Sequence, residues 1–230
     1  MRTRGIELDP AKTPDEIEAR SFAIIDAEIP EPRPFAGDLW QVARRCVHTA
    51  GDTSIVADLR LRREGLKAGL AALKRGCTVY TDTRMAAAGL PPRRLRPLGV
   101  SVTALPELPG LGESAARRGI TRARAAVEAV AGKLEGQIIV IGNAPTALLA
   151  LLEILEAGAP PPSLIVGMPV GFVNAAQSKR LLAQSSWPHF TLLGRRGGSA
   201  VAAACVNALA ELVLERIRLR RREREPFLLT

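Results

Sequence analysis

Apolar positions in the first third of the chain recur at helical spacing. TPDE at 13–16 reads as a helix start: Thr13 can cap, Pro14 suits the first helical position, and Glu16 can close a capping box. Ile17, Phe22, Ile24, Ile25 and Ile29 carry an apolar face to about residue 29, and Pro30, Pro32 and Pro34 end it. A second helix is predicted from after Asp38 to about His48. A turn over 49–52 follows, with Asp52 placed to cap the next segment. A third helix covers about 63–75 and stops at Gly76.

Beyond Gly76 the pattern changes. The runs at 77–81 (CTVYT), 99–103 (GVSVT), 137–141 (QIIVI), 163–166 (SLIV) and 190–193 (FTLL) are short, apolar and mostly β-branched, as expected of strands buried on both faces. Helical patterns at 83–89, 121–134, 145–157, 173–184 and 199–222 separate most of them. This alternation predicts an α/β fold: a mostly parallel sheet of about five strands, with helices on both faces. Residues 1–214 read as one domain and 215–230 as a basic C-terminal extension. Residues 105–120 are predicted to be the loop most open to mobility or function.

Composition narrows the function classes. The 230 residues are 47% hydrophobic, which excludes a disordered chain, and 3% aromatic, which leaves few stacking platforms for single-stranded nucleic acid. Lys and Arg total 32 against 23 Asp and Glu, a formal net charge of +9. That excess predicts an anionic partner: nucleic acid, a membrane surface or a polyanionic small molecule. The cations are 27 Arg and 5 Lys. Arg grips carboxylates and phosphates with a planar fork; biased codon usage, which also inflates Ala, is the competing account. Six Arg and three Glu lie in 215–230, where Arg216 to Arg224 read either as a solvated helix end or as a surface for membrane or nucleic acid. Cys46, Cys77 and Cys205 form no CxxC pair, so neither a disulfide framework nor a zinc site is expected. The N-terminal MRTRGIELDP lacks an apolar signal core and no apolar stretch reaches membrane length, so a cytoplasmic protein is expected.

Three strand ends look alike. Ile141 runs into Gly142-Asn143-Ala144-Pro145-Thr146, Val166 into Gly167-Met168-Pro169-Val170-Gly171-Phe172, and Leu193 into Gly194-Arg195-Arg196-Gly197-Gly198-Ser199, each before a helix. In a parallel sheet such loops gather at the carboxyl edge, where helix N-termini offer N–H donors and glycines let a ligand approach. Ordinary tight turns would look the same singly; three together, one bearing Arg195 and Arg196, point to an anion site. No GxGxxG, GxxxxGK[ST] or GxSxG motif accompanies them. His48, at a helix end, is either a dipole-favoured histidine or a proton donor working near neutrality. His189 reads as structural, and neither histidine has a partner at ligand spacing, so no metal is expected. Ser21 lies on the first helix. Asp82, after Thr81, is a helix cap or a site carboxylate. Arg122, at a helix start, opposes the local dipole, which favours a ligand role.

Taken together, IEARSFAIIDAE (17–28), VARRCVHTAGD (42–52), GCTVYTDTRMAAAGL (76–90), IVIGNAPTALLALLEIL (139–155), LIVGMPVGFVNAAQSK (164–179) and GRRGGSAVAAACVNAL (194–209) carry a family resemblance. It resembles the precorrin-8X methylmutase family of cobalamin biosynthesis. The resemblance implies an isomerase that moves a methyl group from C11 to C12 of a corrin precursor, giving hydrogenobyrinic acid or its cobalt counterpart, with no cofactor. It implies an α/β homodimer with sites near the subunit interface. It places the proton-donating histidine on His48, and the next site residues on Ser21, Thr81, Asp82, Arg122, Asn143 and Gly198; Gly171, Arg195, Gly197 and Ser199 sit in the same motifs. A corrinoid macrocycle carries several carboxylates around an apolar ring, which suits Arg forks at a rim, with Met168, Val170 and Phe172 as either floor or core. The chain departs from the family at Pro91-Pro92, over 93–120, and after about 210. Non-catalytic carriage of a corrinoid, or basic binding to nucleic acid or membrane, are the alternative readings.

Overall fold

A computed structural model describes residues 9–10 and 13–224. The N-terminal region is helical. Helix α1 (Pro14–Glu28) opens on the expected capping box, with Glu16 N–H donating to Thr13 Oγ1 at 3.3 Å and Thr13 N–H to Glu16 Oε2 at 3.0 Å. Helix α2 (Asp38–Ala50) ends at Gly51, whose φ of 62° closes it with a left-handed cap. Asp26 fastens α1 to α2: its carboxylate accepts from Trp40 Nε1 at 2.8 Å, Arg44 Nη1 at 2.7 Å and Arg33 Nη1 at 2.9 Å.

The remainder alternates: β1 (Leu59–Leu61), α3 (Arg63–Arg75), β2 (Thr78–Thr81), α4 (Arg84–Ala88), α5 (Pro92–Leu95), β3 (Ser101–Ala104), α6 (Leu111–Arg118), α7 (Arg122–Val130), β4 (Ile138–Ile141), α8 (Pro145–Glu156), β5 (Leu164–Gly167), α9 (Ala175–Gln184), β6 (His189–Leu192) and α10 (Ser199–Arg224). The six strands lie in the order β1-β6-β5-β4-β2-β3. All neighbours are parallel except β1 with β6. The chain therefore leaves β2 toward β3, crosses back over β2 to β4, and continues outward to β5 and β6. The reversal makes the gap between β2 and β4 the switch point, where doubly wound sheets form their ligand crevice.

Alternate strand residues face two cores. Val79, Ile138, Val140, Val166 and Phe190 meet α2, α3 and α10 on one face; Ile139, Ile141 and Ile165 meet α6, α7 and α8 on the other. Strands β4, β5 and β6 are buried at every position: β4 and β5 as apolar runs, β6 with His189 and Thr191 bonded to the Trp187 and Gly167 carbonyls. On the first face α2 lies against α10, and the Cys46 and Cys205 thiols come within 3.4 Å.

The α/β architecture is as expected, with three local differences. The sixth strand, β1, is LRL between charged residues, too short to show a period, and it pairs antiparallel at the edge. Residues 105–120 are not a loop: they hold a 3-10 turn at Leu105–Glu107 and helix α6, whose Leu111 and Ala115 are buried against α7. The last helix differs in extent: α10 runs unbroken to Arg224, past the expected end at 222, and Ile217 packs on the core; residues 225–230 lie outside the described ones. No helix among the described residues is long and apolar enough to cross a membrane.

Candidate active site

The carboxyl ends of β2 and β4 flank the switch point, and Asp82 bridges them. Its Oδ1 accepts from Gly142 N–H at 2.9 Å, and its Oδ2 from Asn143 and Ala144 N–H, both at 2.8 Å. Asp82 is thus a cap for the loop leading into α8. Burial pushes its carboxyl above the ordinary range, while the three N–H donors pull the other way. The expected free donors of this loop are therefore already satisfied from within the chain.

The three glycine loops pack on one another. A Cβ on Gly142 would stand 2.6 Å from Ser199 Cα, and one on Gly197, where φ is +155°, would stand 2.3 Å from the Met168 carbonyl oxygen. Gly198 N–H donates to Met168 O at 2.9 Å, and Gly171 N–H to Arg195 O at 3.1 Å. Gly198, at φ +123°, has open space beside it. Ser199 Oγ meets Thr83 Oγ1 at 2.8 Å, and Thr83 Oγ1 also caps α4 by accepting from Ala86 N–H at 3.0 Å. Thr81, fully buried, donates its hydroxyl to Thr83 O at 2.9 Å. Thr81, Asp82, Gly197 and Ser199 thus frame the loops. Asn143 lies exposed on the loop surface.

Two arginines are available at this edge. Arg122 opens α7, is exposed, and lines a cavity of about 410 Å³ with Arg84, Leu105, Leu108, Leu111 and Ala126. Arg195 is exposed, its guanidinium carbon 5.2 Å from the Phe172 ring centroid. Phe172 is 82% exposed and Val170 42%, whereas Met168 is wholly buried in the core. Arg196, grouped with Arg195 in the sequence, is committed elsewhere: it bonds Asp52 at 2.6 Å, Ser54 at 2.7 Å and Asp58 at 2.8 Å.

Those partners bring His48 to the same edge. Asp52 lies one residue past Gly51, whose N–H bonds Val47 O at 2.9 Å and His48 O at 3.3 Å. His48 is half-buried at the end of α2, its ring edge-on to Phe22 of α1 with centroids 5.5 Å apart and an interplanar angle of 73°. Ser21, beside Phe22, donates its hydroxyl to Ile17 O at 2.7 Å. His189 is buried in β6, with Nδ1 2.8 Å from the Trp187 carbonyl oxygen. Lys179, also wholly buried, bonds the Arg196 carbonyl, and burial lowers its pKa to about 8. Its signal in the sequence was a charge on the apolar stripe of α9, in line with Ala175 and Leu182. Arg84 gave none. Among the described residues no group of three or more His, Cys, Asp or Glu could hold a metal ion.

Fold and site define a doubly wound α/β protein with a crevice at the switch point, lined by the Arg84 and Arg122 side chains, and a half-buried histidine at the end of α2. The comparisons with known proteins go further. The sequence pattern of the precorrin-8X methylmutase family matches residues 16–212. The precorrin-8X methylmutase of Pseudomonas aeruginosa is 45% identical over 207 residues, 88% of this chain and 98% of that protein. The cobalt-precorrin-8 methylmutase of Salmonella typhimurium is 42% identical over 203 residues, 85% and 94% of the two. The solved precorrin-8x methyl mutase of Thermus thermophilus is 40% identical, with a TM-score of 0.79 over 87% of this chain and 98% of that one. The chain belongs to the precorrin-8X methylmutase family, and it is an enzyme of the isomerase class.

Proposed function

We propose that the enzyme moves a methyl group from C11 to C12 of precorrin-8X or cobalt-precorrin-8, a step of cobalamin biosynthesis. What supports this is the match of the family pattern to residues 16–212, together with exposed Arg122 and Arg195 on segments that follow the carboxyl ends of strands and His48 at the end of α2. A macrocycle ringed by acetate and propionate carboxylates needs cationic forks at its rim and apolar surface below, and the edge supplies both. In this reading His48 protonates the ring near the migrating methyl, as a positioned imidazolium can. Arg122 and Arg195 hold carboxylates, and Ser21, Asn143, Gly171 and Gly198 line the approach. Thr81, Asp82, Gly197 and Ser199 keep the loops in register. No cofactor enters the reaction.

The catalytic domain in this proposal is 1–214, and 215–230 is a basic extension. The enzyme works in the cytoplasm as a homodimer, with no nucleic-acid or membrane partner. Val170, Phe172 and Val173 at the site rim, all exposed in a single chain, support a covering second copy; sedimentation at micromolar concentration tests that. The test of function is to give purified protein the metal-free and the cobalt-bearing precursor side by side. Conversion to hydrogenobyrinic acid or cobyrinic acid, followed by absorption, is expected. Binding of product without conversion of either precursor would make the protein a carrier.

A further inference from the structure

We propose that Arg196 is a positioning residue for His48: one guanidinium clasps both ends of the turn that follows the histidine's helix. The turn is the 3-10 segment Thr53–Ala57, with Asp52 as its N-cap and Asp58 as its C-cap. Asp52 Oδ1 accepts from Ser54 N–H at 2.9 Å, which leaves Oδ2 for Arg196 Nη1 at 2.6 Å. At the far end Asp58 Oδ2 takes Arg196 Nη2 at 2.8 Å, and its carbonyl accepts from Leu193 N–H at 2.9 Å. Immediately before the turn, Gly51 closes α2 on the carbonyls of Val47 and His48. A shift of the turn is therefore a shift of the last turn of α2, and His48 moves with it.

The clasp is itself held from behind. Lys179, wholly buried in α9, bonds the Arg196 carbonyl. On either side, Arg195 O accepts from Gly171 N–H and Gly198 N–H bonds Met168 O. The loop after β6 is thus tied to the loop after β5, to α9 and to the turn after His48. Single ion pairs at this exposure contribute little to stability. A fork that spans two carboxylates and a hydroxyl fixes direction instead, which a planar five-donor group does and an ammonium does not. The adjacent residues divide the labour: Arg195 faces outward over Phe172 and Arg196 braces.

This inference rests on the reading of His48 as the proton donor, and the experiment separates the two. Arg196→Gln, Asp58→Asn and His48→Asn are compared with wild type for kcat, for affinity toward hydrogenobyrinic acid, and by 1H–15N spectra of the imidazoles, which are simple because the chain has 2 histidines. R196Q and D58N are expected to lower kcat about tenfold, since small misplacements of a reacting group cost rate steeply. Product affinity should stay within about twofold, since on this proposal both residues act through His48 and not on the ligand. The His48 signals should shift while those of His189 stay. Unchanged kcat in both variants would overturn the proposal, and so would a loss of product affinity in step with kcat, which would make Arg196 a ligand of the carboxylates. If R196Q does not fold, D58N, which keeps the arginine, decides. Wild-type turnover by H48N would sink the reading of His48 separately.

Discussion

Asp82 accepts three backbone N–H bonds across the switch point, so its replacement strands donors rather than merely deleting a charge. Asp82→Asn should lower stability by about 2 kcal/mol or more, read from the urea midpoint, because an amide cannot accept all three. His48→Asn should cut kcat by about 10²–10⁴-fold with product binding retained, the usual worth of a positioned acid. Arg122→Ala and Arg195→Ala should each weaken product binding about ten- to a hundredfold, as loss of a charge-assisted bond predicts. Lys179 gives a pH signature. Its folded pKa is about 8 against an ordinary 10.5, so between those values the unfolded chain binds more protons and stability rises with pH. In Lys179→Met that rise should disappear, a difference on the order of 2–3 kcal/mol between the two unfolding curves at pH 7.5 and 10. At this scale the sequence offered His48, Arg122 and Arg195 as candidates by type and position. It left Asp82 open between cap and ligand, because only the register of β2 against β4 shows which N–H groups its carboxylate meets. Arg195 and Arg196 are identical in the sequence; their separate duties follow from Asp52 and Asp58, more than 130 residues away.

The long, periodic elements were legible: the capping box of α1, the glycine stops of α2 and α3, and the buried strands that show as unbroken apolar runs. What escaped was short or amphiphilic. Strand β1 has three residues and exists because β6 offers it an edge. Helix α6 is mostly charged and small residues, with Leu111 and Ala115 as its buried contacts, so its pattern looked like loop. The glycine loops were recognised, but their glycines serve mutual packing at least as much as access. Gly142→Ala would force the start of α10 outward from a 2.6 Å approach. A destabilisation of about 3 kcal/mol is expected, with loss of activity even where the variant folds. Gly198→Ala, with open space around it but φ at +123°, should cost about 1 kcal/mol or more from the backbone alone. Truncation after Ile217 removes the exposed end of α10 and should leave kcat and KM within about twofold, measured beside the full chain, since residues 218–223 are all exposed.

Over the whole molecule, part of the positive charge is engaged by carboxylates and part is spread along α10. Arg33, Arg44, Arg45, Arg94, Arg124 and Arg196 are held by carboxylates. Arg122 and Arg195, both exposed, are the arginines proposed to meet the carboxylates of the ligand. Turnover should therefore depend on ionic strength through KM, rising severalfold from about 0.05 to 0.5 M salt with kcat steady, as screening weakens attraction for a polycarboxylate. The sheet order also dictates when this enzyme can come into being. β1 belongs to the first third of the chain, yet its neighbour is β6, the last strand to be made. His48 is synthesised early, but Arg196, which grips the turn after it, arrives about 150 residues later. During translation β2 to β5 can assemble as they emerge, while the flank of β5 stays unpaired and α1, α2 and β1 wait for their partners. A chain interrupted before β6 would carry His48 but neither Arg196, which grips the turn after it, nor α10, which completes the core on that face.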